Sequence, residues 1–167
     1  HSEVPGRPVA LGAATGLVLG TGGAAAAACC ALREVGAKLI VAGRSEERAS
    51  ALAERFGGEG VAWDAVQGLE YDLLIHCTPA GSLADPETCA LPEEWLREGT
   101  LVLDGVYRPV KTPLLATAIG KSCTAVPGGE WFVRQAAQQY KLFTSQEPDN
   151  ELLRAAFKHA LDEEREG

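Results

Sequence analysis

A glycine-rich segment near the start of the chain has the composition and spacing of a phosphate-binding turn. Gly20, Gly22 and Ala25 follow the apolar residues 17–19 and lead into an alanine-rich segment. After a strand, Gly-x-Gly-x-x-Ala permits a tight turn, brings a diphosphate close to the backbone and directs a helix N-terminus at the anion. The alternative is a flexible glycine turn without a ligand. The residues predicted to bind a nucleotide here are Gly20, Thr21, Gly22, Gly23 and Ala24.

An arginine follows the second apolar segment of the chain, where a domain that prefers NAD places an acidic residue on the ribose hydroxyls. The guanidinium of Arg44 can form paired hydrogen bonds to a 2′-phosphate. Ser45 can donate another hydrogen bond, and Arg48 lies one helical turn further on. These residues predict NADP as the cofactor. The alternative is that the two arginines pair with Glu46 or Glu47 on a solvated surface.

Short apolar segments alternate with longer amphipathic ones along the chain, as is typical of βαβ units with right-handed crossovers. We therefore predict an α/β fold, a doubly wound (Rossmann-like) parallel sheet of about six strands with helices on both faces, plus a C-terminal helix. The predicted strands are residues 17–19, 38–42, 60–63, 72–77, 101–104 and 123–126. The predicted organisation is a flexible lead-in over residues 1–15, a dinucleotide-binding domain over 16–145 and the C-terminal helix over 146–167.

Composition argues against several classes of partner. The 167 residues carry a formal net charge of −8 and no Lys/Arg-rich run, so we expect no direct contact with nucleic acid. No segment approaches the roughly 18 apolar residues that cross a bilayer, so we expect no membrane contact. The five cysteines show no Cys-x-x-Cys spacing; we expect reduced thiols and no metal site, with a reactive Cys77 as the alternative. His76 is either a proton donor or a hydrogen-bonded structural residue.

Four motifs in order give the chain a specific resemblance. They are GTGGA at 20–24, GRS at 43–45, DGVYRP at 104–109 with TPLL at 112–115, and PGGEWFVRQA at 127–136. This series resembles the carboxyl-terminal, NADP-binding domain of shikimate dehydrogenases over residues 16–143. Glu130 and residues 139–144 look most like the plant bifunctional and fungal multifunctional versions of that family.

The resemblance implies reversible hydride transfer between NADPH and the ring carbonyl of 3-dehydroshikimate, giving shikimate. The family residues that line the nicotinamide side match Thr78, Val106, Gly128 and Trp131. Tyr107 and Gln135 match positions that reach the substrate; the alternative for Tyr107 and Trp131 is ordinary packing. The family's proton-transfer Lys and Asp belong to an N-terminal domain without a counterpart in these residues. We therefore expect no catalytic residue in this fragment, a substrate shared with the missing domain, and a chain that is inactive alone.

Small departures from the family pattern leave a second interpretation open. Gly43 and His76 replace usual asparagines, and residues 80–82 lack a common methionine. The alternative is a non-enzymatic, shikimate-dehydrogenase-like domain of a transcriptional repressor of quinate or shikimate metabolism, which would sense a metabolite or bind a partner. The enzyme interpretation predicts a cytoplasmic protein, and the repressor interpretation a nuclear one.

Overall fold

A computed structural model describes residues 11–166, and side chains as far as residue 162. The chain divides into two compact units, one ending at Pro127 and one beginning at Gly128. Residues 1–10 of the predicted lead-in lie outside the described residues, whereas Leu11–Ala13 forms a 3-10 turn and the first strand already begins at Thr15. The predicted domain boundary at residue 145 stays a prediction.

The first unit is built on a six-stranded sheet in which every neighbouring pair is parallel. Its strands are β1 (Thr15–Leu19), β2 (Lys38–Gly43), β3 (Glu59–Ala62), β4 (Leu73–His76), β5 (Leu101–Asp104) and β6 (Thr124–Val126). Its helices are α1 (Gly23–Glu34), α2 (Glu46–Glu54) and α3 (Pro113–Gly120). The strand order β3-β2-β1-β4-β5-β6 reverses direction between β1 and β4, which confirms the predicted doubly wound fold.

The two faces of the sheet are covered by different elements. Leu17, Leu74 and Val102 are paired in register and share one buried cluster with Leu114 of α3 and with residues of the long β4–β5 connection. On the opposite face, Leu32 of α1 lies directly over Gly16, where any Cβ would meet its side chain at 2.6 Å. The helices therefore occupy both faces, as the alternation of segments predicts.

Helix α2 packs so closely on β3 that only glycine fits beneath it. A Cβ at Gly60 would lie 2.2 Å from the backbone nitrogen and Cα of Ser50. In α1, Ala25 and Ala28 are buried, which is the close helix–sheet packing that the alanine-rich sequence predicts. These contacts hold both helices close against the sheet.

The second unit is a pair of helices, α4 (Gly128–Thr144) and α5 (Asn150–Glu166). The Asp149 carboxylate caps α5 by accepting hydrogen bonds from the backbone N–H groups of Glu151 and Leu152 at 3.0 Å each. The rings of Phe132 and Phe157 pack with centroids 5.3 Å apart. The C-terminal helix is thus present as predicted, and its apolar stripe packs against α4.

Candidate functional site

The carboxyl ends of β1, β2, β4 and β5 meet at one edge of the sheet. Leu19 is in register with Ala42 on one side and with His76 on the other, and His76 is in register with Asp104. Because the strand order reverses between β1 and β4, the loops that follow these strands separate and leave a crevice. The predicted nucleotide-binding residues of the first unit follow these strand ends.

The turn after β1 is held in place by both neighbouring strands. Gly20 has φ +117°, and its N–H donates to the Ala42 carbonyl at 2.8 Å. A Cβ here would lie 2.8 Å from the Cys77 carbonyl oxygen and 3.3 Å from Cγ2 of Thr78. Gly20 is therefore required by the protein's own backbone, in agreement with the tight turn that the sequence predicts.

The next two glycines have a different reason to be there. Apart from its chain neighbours and the adjoining helix backbone, a Cβ at Gly22 or Gly23 would meet no atom of the described residues within 4 Å, and both residues are exposed, as is Ala24. Gly22 is the N-cap of α1, and no side chain caps this helix. The first-turn N–H groups and the positive end of the helix dipole therefore face open space, which suits an anion such as a diphosphate.

Two arginines follow β2, Arg44 directly after the strand and Arg48 in the first turn of α2. Arg44 and Arg48 are exposed, and among residues 11–162 neither side chain forms an ion pair, so the alternative pairing with Glu46 or Glu47 is not formed. The Ser45 hydroxyl accepts the Arg48 N–H at 3.3 Å and keeps its own proton for a further partner. Two cations and one hydroxyl are thus available to a phosphate.

Gly43, where the family pattern has asparagine, is explained by its neighbour in the glycine turn. A Cβ at this position would lie 3.1 Å from Cγ2 of Thr21. The methyl group of Thr21 therefore occupies the space into which a larger side chain would begin to extend. The turn after β1 and the end of β2 are fitted to each other at this point.

A buried network of polar side chains lies beneath the ends of β4 and β5. His76, Asp104 and Thr112 are 0%, 0% and 1% exposed. Nδ1 of His76 lies 2.8 Å from Oδ1 of Asp104, and Nε2 lies 2.6 Å from Oγ1 of Thr78. Asp104 also accepts the Val106 N–H at 2.9 Å and the Thr112 hydroxyl at 2.5 Å. The hydrogen-bonded structural interpretation of His76 therefore fits the geometry.

This network is the feature that the sequence did not assign. Asp104 and Thr112 belong to a motif quoted for the family resemblance, but no role was predicted for either of them. The available signal was a polar residue at the end of each of two neighbouring apolar strands. Such residues meet only if the strands pair in register, as β4 and β5 do.

The other predicted site residues fall into both units. Val106 is 8% exposed just after β5, and Tyr107 is 36% exposed with the Arg108 guanidinium carbon 5.9 Å from its ring centroid. In the second unit, Gly128 begins α4, and Trp131 and Gln135 lie four residues apart on that helix and so on one side of it. Their roles stay predictions.

The described residues contain neither a candidate metal-binding cluster nor a candidate membrane-spanning helix. Within residues 11–166, no group of three or more His, Cys, Asp or Glu side chains is placed to hold a metal ion. In the same part of the chain, no helix is both long enough and apolar enough to cross a bilayer.

The Cys77 thiol is expected to be unreactive in the folded protein. Burial raises its pKa to about 12, and the negative charge of Asp104 acts in the same direction. At about pH 8, roughly one molecule in ten thousand would carry the reactive thiolate. Iodoacetamide should therefore modify the exposed Cys30 well before Cys77, as peptide mass spectrometry can measure. Modification of Cys77 should match that of Cys30 only after unfolding in urea; equal rates in the folded protein would contradict this.

Comparisons with known proteins agree on one family. A model of the family described as shikimate / quinate 5-dehydrogenase matches residues 7–84 of this chain. A shikimate dehydrogenase (NADP(+)) from Archaeoglobus fulgidus is 37% identical over 157 residues, which are 90% of this chain and 58% of the relative. The bifunctional 3-dehydroquinate dehydratase/shikimate dehydrogenase of Arabidopsis thaliana is 34% identical over 154 residues, 90% of this chain and 26% of the relative.

A solved shikimate dehydrogenase structure is also similar to this chain. Shikimate 5-dehydrogenase from Thermus thermophilus, in complex with NADP(H) and shikimate, superposes with a TM-score of 0.82 at 36% identity. The superposition covers 90% of this chain and 56% of that structure. The chain thus spans little more than half of the Archaeoglobus and Thermus proteins, and about a quarter of the Arabidopsis protein.

Proposed function

We propose that this chain, which is similar to shikimate dehydrogenases over 90% of its length, is the domain that binds NADP(H) in a shikimate dehydrogenase. The proposed reaction of the whole protein is reduction of 3-dehydroshikimate to shikimate. The groups that transfer the proton would lie in a region outside these 167 residues, and the substrate would be shared with that region, so the proposal includes inactivity of the chain alone. A cytoplasmic location and a small-molecule substrate are part of the same proposal.

One observation carries this proposal. The Gly22 and Gly23 positions are exposed at an uncapped helix N-terminus, and Arg44, which forms no ion pair within residues 11–162, follows the end of the neighbouring strand. Glycine at the start of a helix loses more conformational freedom on folding than alanine does, and nothing in the protein's packing requires it here. A bound diphosphate that must approach the backbone supplies the missing reason.

The proposal gives each group of predicted site residues a distinct task. NADPH, when bound, supplies the hydride. Gly20 forms the tight turn, the amides from Thr21 to Ala24 hold the diphosphate, and Arg44, with Ser45 and Arg48, holds the 2′-phosphate. The residues proposed for the nicotinamide side are Thr78, Val106, Gly128 and Trp131, and those proposed for the substrate are Tyr107 and Gln135.

The repressor alternative has no comparable support. None of the three relatives described above is named as a transcriptional regulator. Both departures at the strand ends have a local explanation, since Gly43 accommodates the methyl group of Thr21 and His76 is fully hydrogen-bonded. Neither departure closes the cradle.

Replacing Arg44 by alanine is expected to weaken NADPH binding about ten- to a hundredfold and to leave NADH binding unchanged. The reason is that only NADPH carries the phosphate that the guanidinium would hold. Fluorescence titration of both nucleotides with the wild type and the variant measures the two ratios. Arg33→Ala, which removes an equally exposed positive charge from the last turn of α1, is the matched control and should change neither affinity.

Two outcomes of this titration would contradict the proposal. Equal weakening of NADPH and NADH by Arg44→Ala would show that the arginine acts as a general charge and does not select the 2′-phosphate. Absence of measurable binding of both nucleotides to a folded wild-type chain would remove the dinucleotide site itself.

A further inference from the structure

A chain of hydrogen bonds runs from the buried Thr112 to the edge of the crevice. It passes through Asp104 and His76, both fully buried, and ends at Thr78, which is partly exposed. Each imidazole nitrogen of His76 has a partner within 2.8 Å, so the ring is fixed at both ends. Thr78 is therefore the one member of this chain that can also meet a ligand.

The direction of these hydrogen bonds follows from counting donors. Thr112 Oγ1 accepts the Leu115 N–H at 3.2 Å, so its own proton is available for Asp104. The Val106 N–H also donates to Asp104. Because the carboxylate is an acceptor toward these neighbours, Nδ1 of His76 is assigned as a donor to it as well.

This assignment decides what Thr78 offers to the crevice. In a neutral imidazole with the proton on Nδ1, Nε2 is an acceptor, so the Thr78 hydroxyl donates its only proton to it across 2.6 Å. The Ala80 N–H approaches the same oxygen only at 3.4 Å. In this protonation state the Thr78 oxygen keeps a lone pair for a ligand and has no proton left to donate.

Thr78 also lies where the second half of a dinucleotide must extend. Its Cγ2 atom is 3.3 Å from the position of a Cβ at Gly20, so it borders the turn directly. The β4 end lies on one side of β1, and the β2 end with Arg44 lies on the other. With the diphosphate at the turn and the 2′-phosphate at Arg44, the nicotinamide half is directed toward β4.

Building on the proposed NADP(H) site, we propose that His76 is a positioning residue that fixes the Thr78 hydroxyl as an acceptor for the carboxamide N–H of the nicotinamide ring. The pair would select dinucleotides whose ring substituent can donate a hydrogen bond. An acetyl group in place of the carboxamide has no such donor and would leave the Thr78 lone pair unpaired.

Titration calorimetry with four ligands tests this selection. They are NADP⁺, its thionicotinamide analogue, its 3-acetylpyridine analogue, and 2′-phospho-ADP-ribose, which lacks the ring. The wild-type chain is expected to bind NADP⁺ and the thionicotinamide analogue, which both keep the amino group, about tenfold more tightly than the acetylpyridine analogue. Affinity for 2′-phospho-ADP-ribose reports on the phosphate sites alone.

Three variants distinguish a role of His76 in positioning the Thr78 hydroxyl from a general role in folding. In His76→Asn the amide can replace Nδ1 and still donate to Asp104, but it is too short to reach Thr78, so the tenfold preference should fall to about one. Thr78→Val should have the same effect without altering the His76–Asp104 pair, and it remains informative if the first variant does not fold. Thr78→Ser keeps the hydroxyl and should keep the preference. Affinity for 2′-phospho-ADP-ribose, measured with each variant, reports any change at the phosphate sites, so the preference is taken from the ratio of affinities for the ring-bearing ligands.

The outcomes distinguish this proposal from the one on which it rests. If 2′-phospho-ADP-ribose binds but the wild type does not discriminate the acetylpyridine analogue, or if His76→Asn and Thr78→Val both retain the preference, the role of His76 is overturned and the dinucleotide site stands. If neither NADP⁺ nor 2′-phospho-ADP-ribose binds to the folded chain, both proposals fail.

Discussion

Asp104→Ala is expected to lower the free energy of unfolding by about 3–5 kcal/mol, a large part of the total for a domain of this size. The substitution removes the acceptor of three donors at once, the N–H of Val106, the hydroxyl of Thr112 and Nδ1 of His76. All three residues are buried. A polar group left unpaired in the interior costs about 1–3 kcal/mol, and partial rearrangement recovers some of the sum.

Urea unfolding followed by circular dichroism measures this effect, with Asp64→Ala as the matched control. Asp64 is an exposed carboxylate in a 3-10 turn, so its removal should change the unfolding free energy by no more than about 0.5 kcal/mol. Asp104→Asn should fall between the two, since its amide keeps one acceptor oxygen. Equal stability of Asp104→Ala and Asp64→Ala would show that the network contributes nothing to the fold.

Much of the fold was predictable because its determinants are local. Apolar segments of strand length alternate with helical ones, and only a parallel, right-handed arrangement accommodates that alternation in a short chain. The start of β1 was harder to predict from the sequence. The strand begins at Thr15, whose N–H donates to the Asp72 carboxylate at 2.9 Å, a contact between residues 57 positions apart. No local pattern signals a contact of that kind.

The candidate site likewise has one part that local sequence predicts and another that depends on long-range contacts. The glycine turn and Arg44 are encoded within a few residues of their own strand ends, so their positions followed from the sequence. The network of His76, Asp104 and Thr112 joins residues up to 36 positions apart, and it depends on the register of β4 with β5. Taken alone, His76 therefore left two interpretations open, and the Asp104 carboxylate beside it was the missing information.

Alanine substitutions at two glycines of one turn are expected to destabilise the fold by very different amounts. Gly20→Ala should lower the free energy of unfolding by about 3–5 kcal/mol, because φ +117° is strained for alanine and the new Cβ would lie 2.8 Å from the Cys77 carbonyl oxygen. Gly22→Ala should cost at most about 1 kcal/mol, because its backbone is extended and, chain neighbours aside, its Cβ would meet no atom of residues 11–166 within 4 Å. Urea unfolding of both variants measures the contrast.

The same two variants distinguish a glycine that is required for folding from one that is required for ligand binding. If a diphosphate lies against the backbone at Gly22, the added methyl group should weaken NADPH binding at least about tenfold in a variant that is still folded. Ala27→Gly, an exposed change on α1 beyond its first turn, is the control: it should destabilise the helix by about 1 kcal/mol and leave NADPH affinity unchanged. A Gly22→Ala chain that bound NADPH as tightly as the wild type would mean that no diphosphate approaches this turn, and the open space beside α1 would then need another explanation.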